Sequence, residues 1–419
     1  MLVALALGVM NVVAYATTML AARLLGPAEY GQLAAVMGLL LITNVVALAL
    51  QATAARRASI HPGAEIEREV MPASVRAAAG LGVLLLLASP AIREALHLDS
   101  WITPVMLAAA TCALTVTGGQ LGLLQGEQRW APLSTMYAAT GLARIVLGAA
   151  ALLLLPHTAG GMSGIAASTL VPLAVGAWAL RHPSRTRPGP QDAVPLEPEV
   201  ALEAEVAEGD ADLDRHGILW ELAHSSHALL AFFVLSNLDV VLARVVLDRH
   251  AAGLYAAGQI LAKAALFLPQ FVVVVAFPAM ARDAGNLRLH ARGLAIVAAI
   301  GAVVTAGVAV LAGVALQLVG GPDYADIRGV LWAFTLLGTV LAMVQLLVYG
   351  ALAQRHQHMV YLVWLAALAT LAIAPYVHSA EGLLAVVCGV DAGLLVVLVA
   401  VMLLLPSARR RASSAPLPH

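Results

Sequence analysis

The stretch 18-TMLAARLLGPAEYGQLAA-35 joins two long apolar runs through a short polar joint: Arg23, the pair Gly26-Pro27, Glu29 and Tyr30-Gly31. Gly-Pro reads as a turn. The second half of the chain repeats the device as 240-VVLARVVLDRHAAGLYAAG-258. Arg23 falls against Arg244, and Tyr30-Gly31-Gln32-Leu33 against Gly253-Leu254-Tyr255. A weaker echo sets Gln128-Arg129 against Gln354-Arg355. A chain that writes the same joint twice, each time between apolar runs, reads as an internal duplication.

Outward from the joint, the composition states what the runs are. Apolar residues make up 61% and charged residues 11%, with a mean hydropathy of +0.89. A soluble domain carries about a quarter charged residues, so this surface must face lipid. Apolar runs of about eighteen residues or more read as membrane-spanning helices. The expected fold is all-α and polytopic. Twelve spans are expected, at 1–25, 31–54, 72–95, 102–125, 131–155, 162–181, 218–246, 251–280, 292–319, 327–353, 358–377 and 380–405. The N-terminal run lacks a basic leader and outlasts a signal-peptide core. Its start almost inside a span leads us to expect a true beginning a few residues upstream.

The domains follow as a six-helix lobe (1–181), an acidic, Pro-rich cytoplasmic linker (182–216), a second six-helix lobe (217–406) and a cytoplasmic tail (407–419). The linker buries nothing and reads as solvated. With the N-terminus inside, sixteen Arg fall in inner loops, the linker and the tail, and five in outer loops. That bias places both termini in the cytoplasm of a cell-membrane protein. Six is even, so the halves are parallel repeats about an axis along the membrane normal. In transporters such repeats rock about a central site.

The segments "ARLLGPAEYGQLAA", "LALQATAARR", "LGLLQGEQRW" and "GLARIVLGAAAL" resemble the polysaccharide-biosynthesis (O-antigen-type) flippases. These belong to the multidrug/oligosaccharidyl-lipid/polysaccharide exporter superfamily. "NLDVVLARVV", "AAGLYAAGQIL" and "GPDYADIRGVLWAF" look like that family's second half. The linker is longer and more acidic than the family's pattern. The resemblance implies translocation of undecaprenyl-diphosphate-linked oligosaccharide across the inner membrane. The implied partners are that lipid-linked oligosaccharide, membrane lipid, and a glycan polymerase or glycosyltransferases.

Charges within spans mark candidate sites, because each costs about 2.5–3.5 kcal/mol at mid-membrane on insertion scales. Arg144 shares a helix face with Tyr137, Gly141 and Gly148. It reads either as a phosphate clamp in a wet cavity or as a helix–helix tie. Gln259, Lys263 and Gln270 share a face, with Pro269 expected to kink the helix beyond Lys263. They read either as a cavity wall or, with Asp239, as an ion pair between helices. Asp239, beside Asn237, is a proton or cation site or else the counter-charge of Arg244 or Lys263. Asp391 has no visible helper. Asn11 and Tyr15 (with Thr18), Asn44 and Gln51, and Gln120 are further cavity candidates or interhelical hydrogen bonds. At the joint, Glu29 is expected to pair with Arg23.

Other chemistry finds no support. Cys112 and Cys388 lie in separate apolar runs and imply neither disulfide framework nor metal cluster. His224 and His227 show no further metal ligand. A net charge of -1 points away from nucleic acid. No phosphate-cradling loop or nucleophile elbow appears, so neither an enzyme nor a cofactor is expected. Three functions compete: a flippase for the lipid-linked oligosaccharide, a cation-coupled multidrug antiporter of the same superfamily, and a non-transporting scaffold for glycan assembly. Acids of the first half are expected in loops, with Arg144 as the mid-span charge there. That asymmetry favours an anionic cargo.

Overall fold

A computed structural model describes residues 2–60, 63–182, 227–267, 287–353 and 358–413. Gln270, Pro269, His224, Gln354, Arg355 and nearly all of the linker lie outside the described residues. The helices are α1 (Leu2–Thr43), α2 (Val45–Ile60), α3 (Ala64–Ala95), α4 (Ile102–Gly126), α5 (Trp130–Leu154) and α6 (Thr158–Arg181). The second half holds α7 (His227–Val246), α8 (Arg249–Phe267), α9 (Leu287–Val310), α10 (Ala312–Val319), α11 (Leu331–Ala353), α12 (His358–Ile373) and α13 (Ala380–Ser413). Short 3-10 turns, Pro322–Val330 and Ala374–Tyr376, precede α11 and follow α12. No strand occurs among the described residues.

Among the described residues, ten stretches are long and apolar enough to cross a membrane, and one of them, Gly8–Ile60, runs through the first joint. There Gly26 takes φ 68° and ψ 174°, a left-handed conformation that favours glycine. Pro27 has no N–H to lose and starts the return helix. The chain folds back: Thr17 lies beside Gly148 of α5, while Leu33 lies beside Leu152 and Gly161. Counting the two arms separately, and adding α8, gives twelve membrane-crossing rods. The protein is a multi-pass, all-α membrane protein built as two lobes of six rods. Large apolar side chains such as Leu87, Leu154, Val303 and Leu368 cover its outside, as lipid requires.

Each lobe is organised around its fourth rod. In the first, α4 packs against α2, α3 and α6. In the second, α11 packs against α8, α9 and α13. α3 starts at Ala64, earlier than the sequence suggested, so Glu65 and Glu67 sit in its first turn rather than in a loop. Acid at a helix N-terminus is favoured by the macrodipole. Glu69 also lies on the helix and pairs with Arg57 at 2.8 Å.

The second joint turns differently from the first. Asp248 Oδ1 accepts the N–H groups of His250 and Ala251 at 2.9 Å each, capping α8. The two joints then meet. A Cβ on Gly31 would stand 2.9 Å from the Gly253 Cα, and a Cβ on Gly253 would collide with the Pro27 carbonyl. Backbones approach this closely only where both residues lack side chains.

Gly253→Ala should therefore destabilise the protein by about 1–3 kcal/mol, the usual cost of overpacking. Gly80, with open space around it, should tolerate Ala within about 0.5 kcal/mol. Equilibrium unfolding in mixed detergent micelles compares the two.

Candidate functional site

The lining comes from both arms of α1 and from α5, α6, α7, α8 and α11. Together they enclose a cavity of about 300 Å³ between the lobes. The first arm of α1 contributes Asn11, Tyr15 and Thr18 at helical spacing. The return arm contributes Tyr30 and Met37, and α5 contributes Arg144 and Gly148. From the other lobe come Phe232, Phe233, Ser236 and Asn237 of α7, Gln259, Lys263 and Phe267 of α8, and Gln345 of α11. Most of the wall is apolar.

Two cations stand in this wall, one from each lobe. Lys263 donates to the Ser236 carbonyl and, at 3.0 Å, to Asn237 Oδ1. Asn237 is held in turn by its Nδ2 donating to Phe233 O at 2.8 Å. Among the described residues, Arg144 has neither hydrogen bond nor ion pair, although it sits mid-helix in α5. A guanidinium left open at this depth is costly unless water or a ligand meets it. Tyr15 and Phe267 meet edge-on from opposite lobes, ring centroids 6.3 Å apart. The Tyr15 hydroxyl and Gln259 Oε1 are also buried without a protein partner. Among the described residues, no Asp or Glu lines the cavity.

The carboxylates lie behind the wall. Asp239, 2% exposed, accepts from the Tyr255 hydroxyl at 2.9 Å, from Gln259 Nε2, and from the Val240 N–H at 2.8 Å. It is not the partner expected for Arg244. That arginine instead donates to Leu96 O at 2.9 Å and His97 O at 3.2 Å in the first lobe. Asp391 is 1% exposed, with neither carboxylate oxygen hydrogen-bonded. It does not line the cavity.

Three expected cavity residues lie elsewhere. Gln51 is buried inside the first lobe, donating to Gln125 Oε1 at 3.0 Å and Tyr137 Oη at 3.2 Å. Gln120 is 2% exposed and packs against Gly176 of α6. Asn44 marks the break between α1 and α2 and is absent from the lining. A polar stripe on a membrane helix serves another helix as readily as a cavity, and here α4, α5 and α6 claimed it. The sequence reading also missed Gln345 and Tyr255. Gln345 is a lone polar residue inside the apolar "LAMVQLLVYG", the same signal that singled out Gln120.

The joint end is closed by bonds between lobes. Arg23 donates to Gln317 O of the second lobe rather than pairing with Glu29. Glu29 instead accepts from the Thr158 N–H at 2.7 Å and its hydroxyl, at the start of α6. Tyr324 Oη donates to Ala22 O at 2.8 Å, four residues before the break at Gly26. Asp99, in the loop after α3, accepts from Gln32 at 2.8 Å and from Arg249 at 2.8 and 3.3 Å. Hydrogen bonds from these two side chains, Gln32 first, hold its carboxyl below the usual range.

Residues 1–195 match the family described as polysaccharide biosynthesis protein. The resemblance read from the sequence thus holds over the first lobe and the start of the linker. No curated protein matches the chain in sequence. Among solved structures it is similar to an inward-facing multidrug resistance MATE family transporter of the MOP superfamily. That match has a TM-score of 0.72 at 15% identity, covering 97% of this chain and 96% of that one. The outward-facing conformation of a MATE family transporter gives a TM-score of 0.59 at 14% identity, covering 98% and 96%. A MOP superfamily transporter from Pyrococcus furiosus gives 0.56 at 16% identity, covering 99% and 96%. In that protein, reverse polarity of the binding pocket is said to suggest a different function. The chain has the fold of these transporters.

Gln51→Leu should lower stability by about 1–3 kcal/mol, because it leaves Gln125 without its donor in a buried interface. Its affinity for the lipid-linked oligosaccharide implied by the sequence should equal that of the unsubstituted protein, as measured by binding to detergent-solubilised protein. Arg144→Gln should show the converse.

Proposed function

We propose that the protein is a flippase that moves a lipid-linked oligosaccharide, bearing a diphosphate head group, across the cell membrane by alternating access of its two lobes. The observation that carries this reading is Arg144: an unpartnered guanidinium on the wall of an interlobe cavity, with Lys263 on the other lobe. Guanidinium binds phosphate through two parallel hydrogen bonds, and the ammonium adds a second point charge. The diphosphate would thus bind both lobes at once. Tyr15, Asn11 and Gln259 supply hydroxyl and amide groups suited to sugar, and the lipid tail stays in the bilayer. At about 300 Å³ the cavity is at the small end of ligand pockets. In this conformation it suits the head-group end of the cargo.

The multidrug-antiporter reading calls for carboxylates facing a cationic drug. Here Asp239 and Asp391 stand behind the cavity wall and the exposed charges are cationic, which supports an anionic cargo instead. The family match over residues 1–195 supports polysaccharide precursors as its class. The scaffold reading leaves the open guanidinium without a role. On this proposal the chain acts as a transporter and not as an enzyme. Its termini are cytoplasmic, the joint end faces outward, and the glycan polymerase or glycosyltransferases that handle the cargo are its neighbours.

The driving force follows from charge. Moving one charge through 100 mV is worth about 2.3 kcal/mol, and an anionic head group leaves a negative interior downhill. Asp239 and Asp391 are the groups we assign to any additional cation coupling.

The test is flipping of fluorescent lipid-linked sugar in proteoliposomes. Arg144→Gln and Lys263→Gln should each reduce the rate by at least about tenfold, as loss of a charged hydrogen bond requires, while inserting normally. Wild-type rates in both variants would overturn the reading, and export of cationic dyes by the unsubstituted protein would favour the antiporter. Collapsing the potential should slow flipping, and an unchanged rate without potential or ion gradient would remove the electrical drive.

A further inference from the structure

The two copies of the joint do more than turn the chain. Each sends its arginine into the opposite lobe. Arg23 of the first joint donates to Gln317 O, in the last turn of α10, which ends the third rod of the second lobe. Arg244 of the second joint donates to Leu96 O and His97 O, where α3, the third rod of the first lobe, ends. The sequence repeat had matched these two arginines, and the fold gives them the same partner in exchange.

The chemistry of the two contacts is also the same. The last carbonyls of a helix have no partner within it and carry the negative end of the macrodipole. Gln317 O is one of these, since the Gly320 and Gly321 N–H groups both turn to Leu316 O. On the other side His97 takes φ 48° and the Leu98 N–H returns to Arg93 O, which leaves the Leu96 and His97 carbonyls facing the second lobe. Arg244 is 1% exposed and among the largest fully buried side chains. Eight and nine residues after the two arginines, Gly31 and Gly253 meet across the lobes. Asp99 adds a carboxylate on the Arg244 side, oriented by Gln32 of its own lobe and gripped by Arg249 of the other, and Tyr324 adds a hydrogen bond to Ala22 O on the Arg23 side.

We infer that Arg23 and Arg244 form a reciprocal clasp, latched by Asp99–Arg249, that holds the joint end shut and must release for the cavity to open there. The clasp is distinct from the cargo site. It takes from the transport reading only that the lobes move, and its test uses no cargo, so failure of the cargo assay leaves it standing.

Spin labels at Glu94→Cys of the first lobe and Ala325→Cys of the second, both exposed at the joint end, report the separation by pulsed electron resonance in nanodiscs. Cys112 and Cys388 are replaced by Ala. The parent should show one short-distance population. Arg244→Gln should raise the long-distance to short-distance ratio by at least about tenfold, since it removes a charged donor from two carbonyls. Arg23→Gln added to it should raise the ratio further. Asp99→Asn should raise it about twofold to fivefold, the scale of a half-exposed ion pair. Asp99→Arg should open the joint end, and adding Arg249→Asp should close it again. That rescue is not expected if Asp99 merely supports the fold. Unchanged distances in Arg244→Gln, or no rescue by the charge exchange, would overturn the clasp. Should Arg244→Gln not yield folded protein, the Asp99 and Arg249 exchange decides alone.

Discussion

The contact of Gly31 with Gly253 is the point on which the rest of the molecule hangs. Two backbones touch there with no side chain between them. Only at that separation can Arg23, Arg244 and Tyr324 reach carbonyls in the facing lobe. The cavity lies between the lobes that this contact joins. A joint with a glycine in a left-handed conformation and the buried Arg244 is stable because each lobe supplies what the other lacks.

The same constraint sorts the charges. At the joint, arginines are matched to helix-end carbonyls and to Asp99. In the second lobe, Asp239 is surrounded by Tyr255, Gln259 and the Val240 N–H. Lys263 is tied to Ser236 and Asn237. Arg144 stands apart from this pattern. On the proposed function, an intramembrane charge that the fold leaves unsatisfied on a cavity wall is there for the cargo rather than to hold the helices together.

Much of this was legible in the sequence because membrane helices leave little choice. Apolar run length gave twelve rods, and the repeated joint gave two lobes in parallel. Helical spacing put Asn11, Tyr15 and Thr18 on one face, and Gln259 with Lys263 on another, and these faces do line the cavity. What failed was anything that depended on which neighbour a polar face meets. Gln51 and Gln120 have the same local signal as Gln259 but turn into α4, α5 and α6. Arg23 and Glu29 are near in sequence, so a local pair was the natural expectation. The break at Gly26 and the start of α6 offered each a distant and better partner. Glu65, Glu67 and Glu69 looked like loop residues because hydropathy marks the lipid-facing length of a helix, not its water-facing first turns.

The uneven placement of Asp99 has a mechanical consequence. A seam stitched with equal strength along its length would gape evenly when pulled. This one carries an ion pair, Asp99 with Arg249, at the edge formed by α3, α7 and the start of α8, and a single neutral hydrogen bond, Tyr324 to Ala22 O, at the edge of Arg23 and Gln317. Parting should begin at the lightly stitched edge, with the reinforced edge acting as the pivot. The near-symmetry inherited from duplication would then be broken by a single carboxylate, giving the lobes a preferred direction of swing.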